Sequence, residues 1–247
     1  MNVRSFLDST YLKTAAQQGI SEAENGKIVA QFIQEAIDEQ FKLIMIRPEY
    51  VAFAKKIIEA VHSNVLVGTV IDFPEGKSSI LDKLSEATQA IENGVDDLDF
   101  VCNYQAFKEG KIDLIKEEIL LGTQLGLAHH KTVKWIIEVA ALNDKEIVQL
   151  SVLIKNIVIS NFDEECYSSV FVKSSTGFYK TENNLPNGAT PHSIILMLEN
   201  ASPLSIKAAG GVRTYAEAIK MIHLGVKRIG TSSAKAIATD QTSESGY

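Results

Sequence analysis

The chain contains 247 residues, of which 45% are hydrophobic and 22% are charged, and these proportions are ordinary for a folded globular protein. A formal net charge of −7 disfavours a general surface for nucleic acid or anionic membranes, although a small local phosphate site is compatible with it. The sequence has no apolar run approaching about 18 residues, no secretory-leader pattern and no metal-type cysteine spacing, so we expect a cytoplasmic protein with reduced thiols.

Eight short segments rich in aliphatic and β-branched residues recur along the chain. Stretches with helical periodicity separate them, which is the pattern of strands that alternate with helices. In chain order, the predicted strands cover residues 5–10, 41–46, 65–71, 97–102, 133–139, 169–174, 205–209 and 227–231.

Several of the intervening helices have recognisable ends, marked by capping residues at the start and glycine at the finish. In chain order, the predicted signals are a capping box at Ser21 and Glu24 before a helix reaching about residue 40, a start at Ser78 or Ser79 with an end at Gly94, a cap at Asp144, the pair Thr190-Pro191, and a capping box at Thr214 and Glu217 with an end at Gly225.

This strand–helix repetition implies a parallel sheet that is covered by helices on its faces. Eight such units in a chain of this length fit a closed (β/α)8 TIM barrel better than an open sheet. We therefore predict a single barrel domain over residues 1–247, with a mobile polar tail at about 240–247.

Charged residues interrupt strands that should be almost entirely apolar in such a sheet. Alternate positions of a strand share one face, and the intervening residues here are mostly apolar and suit packing against helices. The alternation therefore directs Asp8, Asp99, Lys134, Lys173 and Lys207 into the barrel interior. A structural salt-bridge cluster, or lysine side chains that leave through the barrel mouth, would be the alternative to a functional site.

Lys173 suits the role of an amine nucleophile, which must lose its proton before it can attack a carbonyl carbon. A buried apolar setting and a neighbouring cation both lower the pKa of a lysine. Phe171 shares the face of Lys173, and Lys207 lies on the next predicted strand. The sequence therefore predicts that Lys173 forms an imine with a carbonyl substrate.

The loops after the last three predicted strands are rich in glycine and small polar residues. Glycines let the backbone approach an anion, and loops after the seventh and eighth strands of such barrels often hold phosphate. We predict a phosphate site there, formed by Gly210 and Gly211 after the seventh strand and by Gly230, Ser232 and Ser233 after the eighth, beside the small-residue loop at 174–178.

No metal or organic cofactor is expected. None of the five histidines occupies a predicted inward-facing strand position, whereas a zinc-dependent aldolase needs several histidine ligands at strand ends. The dinucleotide fingerprint and the nucleotide phosphate-loop motif are also absent from the sequence.

Six motifs, taken together, resemble those of the deoxyribose-phosphate aldolases. They are LDSTYLK, DDLDFV, VKWIIEV, VKSSTGF, IKAAGGVRT and RIGTSS, and they follow one another in family order over residues 7–247. The resemblance implies a metal-free class I aldolase in deoxyribonucleotide catabolism. Such an enzyme reversibly cleaves 2-deoxy-D-ribose 5-phosphate into acetaldehyde and D-glyceraldehyde 3-phosphate through a lysine Schiff base.

The resemblance also implies roles for individual residues. Lys173 matches the Schiff-base lysine, Lys207 the second lysine that tunes it, and Asp99 the aspartate that shuttles protons through a water. Lys134 and Asp8 match supporting polar residues, Thr10 matches a hydroxyl that contacts substrate, and Tyr247 matches a C-terminal tyrosine that aids proton abstraction. The phosphate would lie against Gly177, Gly210, Gly211, Gly230, Ser232 and Ser233, with Arg213 near enough to add charge.

Three other functions share part of this pattern. A transaldolase, or an aldolase for another phosphosugar, would keep the imine lysine and the phosphate loops, whereas a silent sugar-phosphate-binding barrel would lack turnover. A pyridoxal-phosphate protein would need a partner for the pyridine nitrogen, which the sequence does not offer. As partners we expect a small phosphosugar and an aldehyde, no nucleic acid and no membrane, with a homodimer as the candidate assembly.

Overall fold

The computed structural model describes residues 2–183 and 185–244. Its centre is a closed barrel of eight parallel strands in sequential order, in which the last strand pairs with the first. The strands are β1 (Leu7–Thr10), β2 (Leu43–Ile46), β3 (Leu66–Ile71), β4 (Asp97–Val101), β5 (Thr132–Ile136), β6 (Val170–Lys173), β7 (Ser205–Ala209) and β8 (Arg228–Thr231). The predicted (β/α)8 TIM barrel is therefore confirmed.

Helices follow the strands and cover the outside of the barrel. They are α1 (Ala15–Gln18), α2 (Glu22–Asp38), α3 (Val51–Ala60), α4 (Ile80–Glu92), α5 (Tyr104–Lys108), α6 (Ile112–Ala128), α7 (Asp144–Asn161), α8 (Pro191–Ala201), α9 (Tyr215–Leu224) and α10 (Ala234–Glu244). In the part of the chain that the structure describes, no helix has the length and apolar character to cross a bilayer.

The predicted helix ends are reproduced with one correction. Capping boxes form at Ser21, Thr190 and Thr214, and Ser79 rather than Ser78 caps α4. The prediction that Asp144 caps α7 was wrong, because Asn143 accepts the hydrogen bond from the Glu146 backbone N–H. Asp144 instead occupies the first helical turn, where its charge favours the positive end of the helix dipole.

Several strands are shorter than predicted. β1 begins at Leu7 because Val3–Phe6 forms a 3-10 turn, and β5 ends at Ile136. Glu138, two residues beyond, has a left-handed backbone with φ 56° and ψ 67°, which ends the extended conformation. The predicted tail begins inside α10, which reaches Glu244, and Tyr247 lies outside the described residues.

Outward-facing strand residues form the main hydrophobic core between barrel and helices. Trp135 of β5 stacks on Phe100 of β4 with 4.9 Å between ring centroids, and its indole N–H donates to Thr123 of α6. A side chain at Gly122 would meet the Trp135 ring at 2.8 Å, so glycine there lets α6 approach the sheet closely. This packing leaves the inward faces of the same strands free to carry polar groups.

Candidate active site

Charged side chains from six strands meet inside the barrel. The group comprises Asp8, Asp97, Asp99, Lys134, Lys173, Lys207 and Arg228, and we call it the interior charge cluster. All seven are buried. The alternation predicted Asp8, Asp99, Lys134, Lys173 and Lys207 to converge, and the structure brings these five together.

Asp99 is the central acceptor of the interior charge cluster. Its Oδ2 lies 2.8 Å from Lys173 Nζ and 2.9 Å from Lys207 Nζ, while its Oδ1 lies 2.7 Å from Lys134 Nζ. Lys173 and Lys207 pair directly across β6 and β7, so their amines are neighbours that share one carboxylate oxygen. One carboxylate therefore holds all three amines.

A second layer of ion pairs holds the far side of the cluster. Lys207 Nζ lies 2.6 Å from Asp8, and Arg228 donates to the same carboxylate through Nε at 2.7 Å. Lys134 lies 2.7 Å from Asp97, which also faces Arg228 at 3.3 Å. Asp8 and Asp97 therefore provide counter-charges for the cations that remain buried beneath the barrel mouth.

Charge balance singles out Lys173 as the amine that gives up its proton. The cluster holds three carboxylates and four basic groups, so it is electrically neutral only when one basic group is uncharged. Lys173 is 3% exposed, whereas Lys134 and Lys207 are 0% exposed, and Lys173 alone among the three lysines lines the cavity above. An excess buried cation is costly, and Lys173 pairs with Asp99 while Lys134 and Lys207 each pair with two carboxylates, so neutral Lys173 sacrifices the fewest ion pairs.

The pKa values of Lys173 and Lys207 shift in opposite directions. Burial, together with the nearby cations Lys207 and Lys134, lowers the pKa of Lys173 to about 8, although Asp99 opposes the shift. Burial would lower the pKa of Lys207 too, but Asp8 and Asp99 outweigh it and hold that pKa above its ordinary value. Burial opposes ionisation of Asp99, but the three lysines hold the pKa of its carboxyl well below the usual range. Lys173 is thus the available nucleophile, and Lys207 stays a cation beside it.

A cavity of about 630 Å³ opens above Lys173 at the carboxyl ends of the strands. Among the described residues, its lining includes three basic side chains, Lys13, Lys173 and Arg213, and no carboxylate. Of the predicted contact residues, those that line it are Thr10, Gly177, Gly210, Gly211, Arg213, Gly230 and Ser232. A cationic cavity whose floor is an amine suits an anionic carbonyl compound.

Close backbone packing forms one wall of this cavity. Gly210 and Gly211 adopt φ values of +77° and +86°, which favour glycine. A side chain at Gly188 would meet Gly210 backbone atoms at 2.5 Å, and the Ala189 N–H donates to the carbonyl oxygens of Ala209 and Gly210. The long loop after β6 is therefore docked on the loop after β7.

Ser233 is the one residue of the predicted phosphate site that does not line the cavity, and its contact with phosphate stays a prediction. Its backbone N–H donates to Thr231 Oγ1 at 3.0 Å. Lys13, which the sequence analysis did not select, lines the cavity instead. No strand alternation predicts Lys13, because it follows β1 in a loop.

The opposite wall is apolar. Phe178 and Leu12 line the cavity, and Phe178 packs edge-on against Phe73 with 5.0 Å between centroids. Arg47 fixes this wall by donating to the carbonyl oxygens of Leu12 at 2.8 Å and Phe73 at 3.2 Å. The cavity therefore offers a charged side and an apolar side to one ligand.

Arg228, Asp97 and Glu138 are site residues that the sequence analysis did not select. The alternation that finds Lys207 on β7 also places Arg228 and Gly230 of β8 on the inward face, so a signal for Arg228 existed. Asp97 shares the inward face of Asp99 on β4, so the same alternation also indicates Asp97. Alternation also aligns Glu138 with Lys134, but β5 ends at Ile136 and Glu138 has a left-handed backbone, so its contacts do not follow from the strand pattern.

We expect Gly230→Ala to lower activity about tenfold, because displacing a site group by a fraction of an ångström misaligns the reaction. An alanine Cβ there would lie 3.0 Å from Lys207 Cε and 3.3 Å from Ala209 Cβ, so Lys207 must shift. The check is kcat/KM on the carbonyl substrate proposed below. Gly26→Ala in α2 is the matched control, since no atom lies within 4 Å of the added Cβ. Equal kcat/KM values for Gly230→Ala and Gly26→Ala would contradict the claim that the added Cβ displaces Lys207.

Comparisons with known proteins agree on one family. A protein from Staphylococcus haemolyticus named "Deoxyribose-phosphate aldolase" is 36% identical over 248 residues, covering 100% of both chains. One with the same name from Caldicellulosiruptor saccharolyticus is 34% identical over 240 residues, covering 96% of this chain and 97% of its own. No family model matches the chain.

Solved structures agree in fold. "QR15, an Aldolase" superposes with a TM-score of 0.79 at 29% identity, over 99% of this chain and 98% of its own. The structure described as "Unique tetrameric structure of deoxyribose phosphate aldolase from Aeropyrum pernix" gives 0.78 at 26% identity, over 98% of this chain and 92% of its own.

Proposed function

The chain belongs to the deoxyribose-phosphate aldolase family, and from this premise we propose that it cleaves 2-deoxy-D-ribose 5-phosphate reversibly through an imine on Lys173. The products are acetaldehyde and D-glyceraldehyde 3-phosphate. The observation that carries the proposal is a buried lysine with a lowered pKa that faces a cationic cavity. This is the class I route, in which the amine and not a metal activates the carbonyl carbon.

The chemistry follows from the open-chain form of the sugar. The neutral Nζ of Lys173 attacks the aldehyde carbon C1, and loss of water leaves a protonated imine. A base removes the proton of the C3 hydroxyl, the C2–C3 bond breaks, and its electron pair moves into an enamine as glyceraldehyde 3-phosphate leaves. Protonation of the enamine at C2 and hydrolysis then release acetaldehyde and restore the amine.

Asp99 and Lys207 are the groups nearest to these proton transfers. Asp99 Oδ2 contacts both amines, so it can accept a proton lost from the carbinolamine and return it through a water. Lys207 remains a cation beside Lys173 and so favours the neutral amine before attack. Lys134 and Asp8 hold this pair in place, and Tyr247 stays a prediction as a further proton carrier.

The charged side of the cavity suits the phosphate end of the sugar. Lys13 and Arg213 carry positive charge there, and the glycine-rich loops let phosphate oxygens approach backbone N–H groups. Thr10, Gly177, Gly230 and Ser232 also line the cavity. The two-carbon end of the substrate then lies toward Lys173 and the apolar wall.

The test is imine trapping across a pH series, with acetaldehyde and borohydride followed by mass measurement of the labelled peptide. We expect an adduct on Lys173 whose formation falls as pH drops through about 8, because the protonated amine cannot attack. A transaldolase or an aldolase for another sugar would fail to trap acetaldehyde. An adduct confined to other lysines, or a midpoint near the ordinary lysine pKa of about 10.4, would overturn the proposal.

The homodimer and the cytoplasmic location stay predictions. The Aeropyrum pernix structure is described as tetrameric, so a tetramer is a second candidate assembly. Sedimentation of the purified chain would determine which assembly it forms.

A further inference from the structure

Glu138 is a buried acid beside the reaction site to which the mechanism above gives no role. It is 1% exposed and lies where the chain leaves β5. Its carboxyl group contacts two residues that follow Lys173 on the next strand, Ser175 and Thr176. These residues begin the loop that supplies Gly177, Phe178 and Asn187 to the cavity.

The distances between heavy atoms around Ser175 indicate whether the Glu138 carboxyl group carries a proton. Ser175 Oγ lies 2.6 Å from Glu138 Oε1 and 2.7 Å from the carbonyl oxygen of Asn187. It also accepts from the Gly177 N–H at 2.9 Å. A hydroxyl has one hydrogen to donate, so an ionised Glu138 would leave one of those two oxygen pairs in contact without a hydrogen between them.

A protonated carboxyl group satisfies every atom. Glu138 then donates through Oε1 to Ser175, and Ser175 donates onward to the Asn187 carbonyl. Glu138 Oε2 accepts from the backbone N–H and the hydroxyl of Thr176, and the Asn187 amide donates to the Gly177 carbonyl at 3.1 Å. The relay ties the start of the loop to its far end, next to the close contact of Gly188 with Gly210.

From this hydrogen count we infer that Glu138 is kept as a neutral carboxylic acid and is a positioning residue that clamps the substrate loop, described over residues 174–183 and 185–189. The inference rests on the proposed function, because the loop matters through the cavity that it lines. Burial raises the pKa of Glu138, and its hydrogen bonds to Ser175 and Thr176 offset only part of that rise. The titratable groups that face it are Lys173, which favours ionisation, and Tyr104, whose pKa rises to about 12 because of burial and then this carboxyl group.

The clamp has a defined pH dependence. Because the pKa of Glu138 is raised in the folded protein, the neutral form and its link to Asn187 are present at low pH and are lost as pH rises through that pKa. KM for the phosphosugar should therefore rise more at alkaline pH in the wild type than in Glu138→Gln, whose amide does not titrate.

Two variants separate a neutral clamp from a charged one. Glu138→Gln keeps an N–H donor for Ser175 and a carbonyl acceptor for Thr176, so we expect kcat/KM within about threefold of wild type. Glu138→Ala removes both, and we expect KM for 2-deoxy-D-ribose 5-phosphate to rise about 10- to 100-fold while kcat falls less. Equal losses in the two variants would mean that a carboxylate charge is required and would overturn the inference.

Infrared spectroscopy gives a readout that does not depend on turnover or on the alanine variant folding. The difference spectrum of wild type minus Glu138→Gln at neutral pH should contain the carbonyl stretch of a protonated carboxylic acid. A carboxylate band in its place refutes the neutral clamp. Wild-type protein that lacks turnover but shows the protonated band would contradict the proposed function and leave the state of Glu138 established.

Discussion

Lys173→Leu is expected to abolish cleavage of 2-deoxy-D-ribose 5-phosphate, with a fall in kcat of at least about 10⁴-fold, because no other group can form the imine. Lys207 cannot substitute, since Asp8 and Asp99 hold its pKa above the ordinary lysine value and keep it protonated. The measurement is a coupled assay of glyceraldehyde 3-phosphate release, with borohydride trapping on the same samples.

The same variant should fold normally, and the charge balance explains why. Above pH about 8, where Lys173 is mostly neutral, the three carboxylates of the interior charge cluster are matched by Lys134, Lys207 and Arg228. Leucine therefore removes no charge that the resting cluster needs, and we expect thermal unfolding within about 1 kcal/mol of wild type. Lys56→Leu on α3, an exposed residue outside the cavity lining, is a control for the loss of one lysine. Activity of Lys173→Leu equal to that of the control would refute the assignment of the nucleophile.

The sequence allowed the barrel and most of the cluster to be predicted because both follow from short-range periodicity. Strand alternation alone directs Lys173 and Asp99 inward, and the structure has them 2.8 Å apart although 74 positions separate them in the chain. Parallel pairing in a closed barrel converts that one-dimensional pattern into proximity.

What could not be predicted lies where the backbone leaves the regular pattern. Alternation puts Glu138 on the face of Lys134, but β5 ends before it and its left-handed backbone sets its contacts. Lys13 follows β1 in a loop, where no periodicity applies. The docking of the loop after β6 depends on the contact between Gly188 and Gly210, which lie on separate segments. Tertiary contacts determine the conformation of irregular segments, and such contacts leave no repeating pattern in the sequence.

The long segment after the VKSSTGF motif has a defined place in the structure. Asn187 lines the cavity, and Ala189 is hydrogen-bonded to the end of β7. The segment thus forms part of the cavity wall rather than a free surface extension.

Asp99→Asn should separate imine formation from the later proton transfers. The carboxylate of Asp99 raises the pKa of Lys173, so its removal should lower that pKa further below about 8 and shift the trapping midpoint to lower pH. Turnover should nevertheless fall about 10²- to 10⁴-fold, because an amide cannot carry protons between substrate and water. Trapping with acetaldehyde and assays of deoxyribose 5-phosphate cleavage on the same preparation measure the two effects.

The stability of Asp99→Asn should also differ sharply from that of Lys173→Leu. Without the Asp99 charge, Asp8 and Asp97 face Lys134, Lys207 and Arg228, so one buried cation loses its counter-charge even when Lys173 is neutral. Removing one partner of a buried ion pair costs about 3–5 kcal/mol, whereas the leucine variant keeps the balance. Urea unfolding of both variants gives the comparison. Equal stabilities would show that the charge balance of the interior charge cluster does not govern its stability, and would contradict this account.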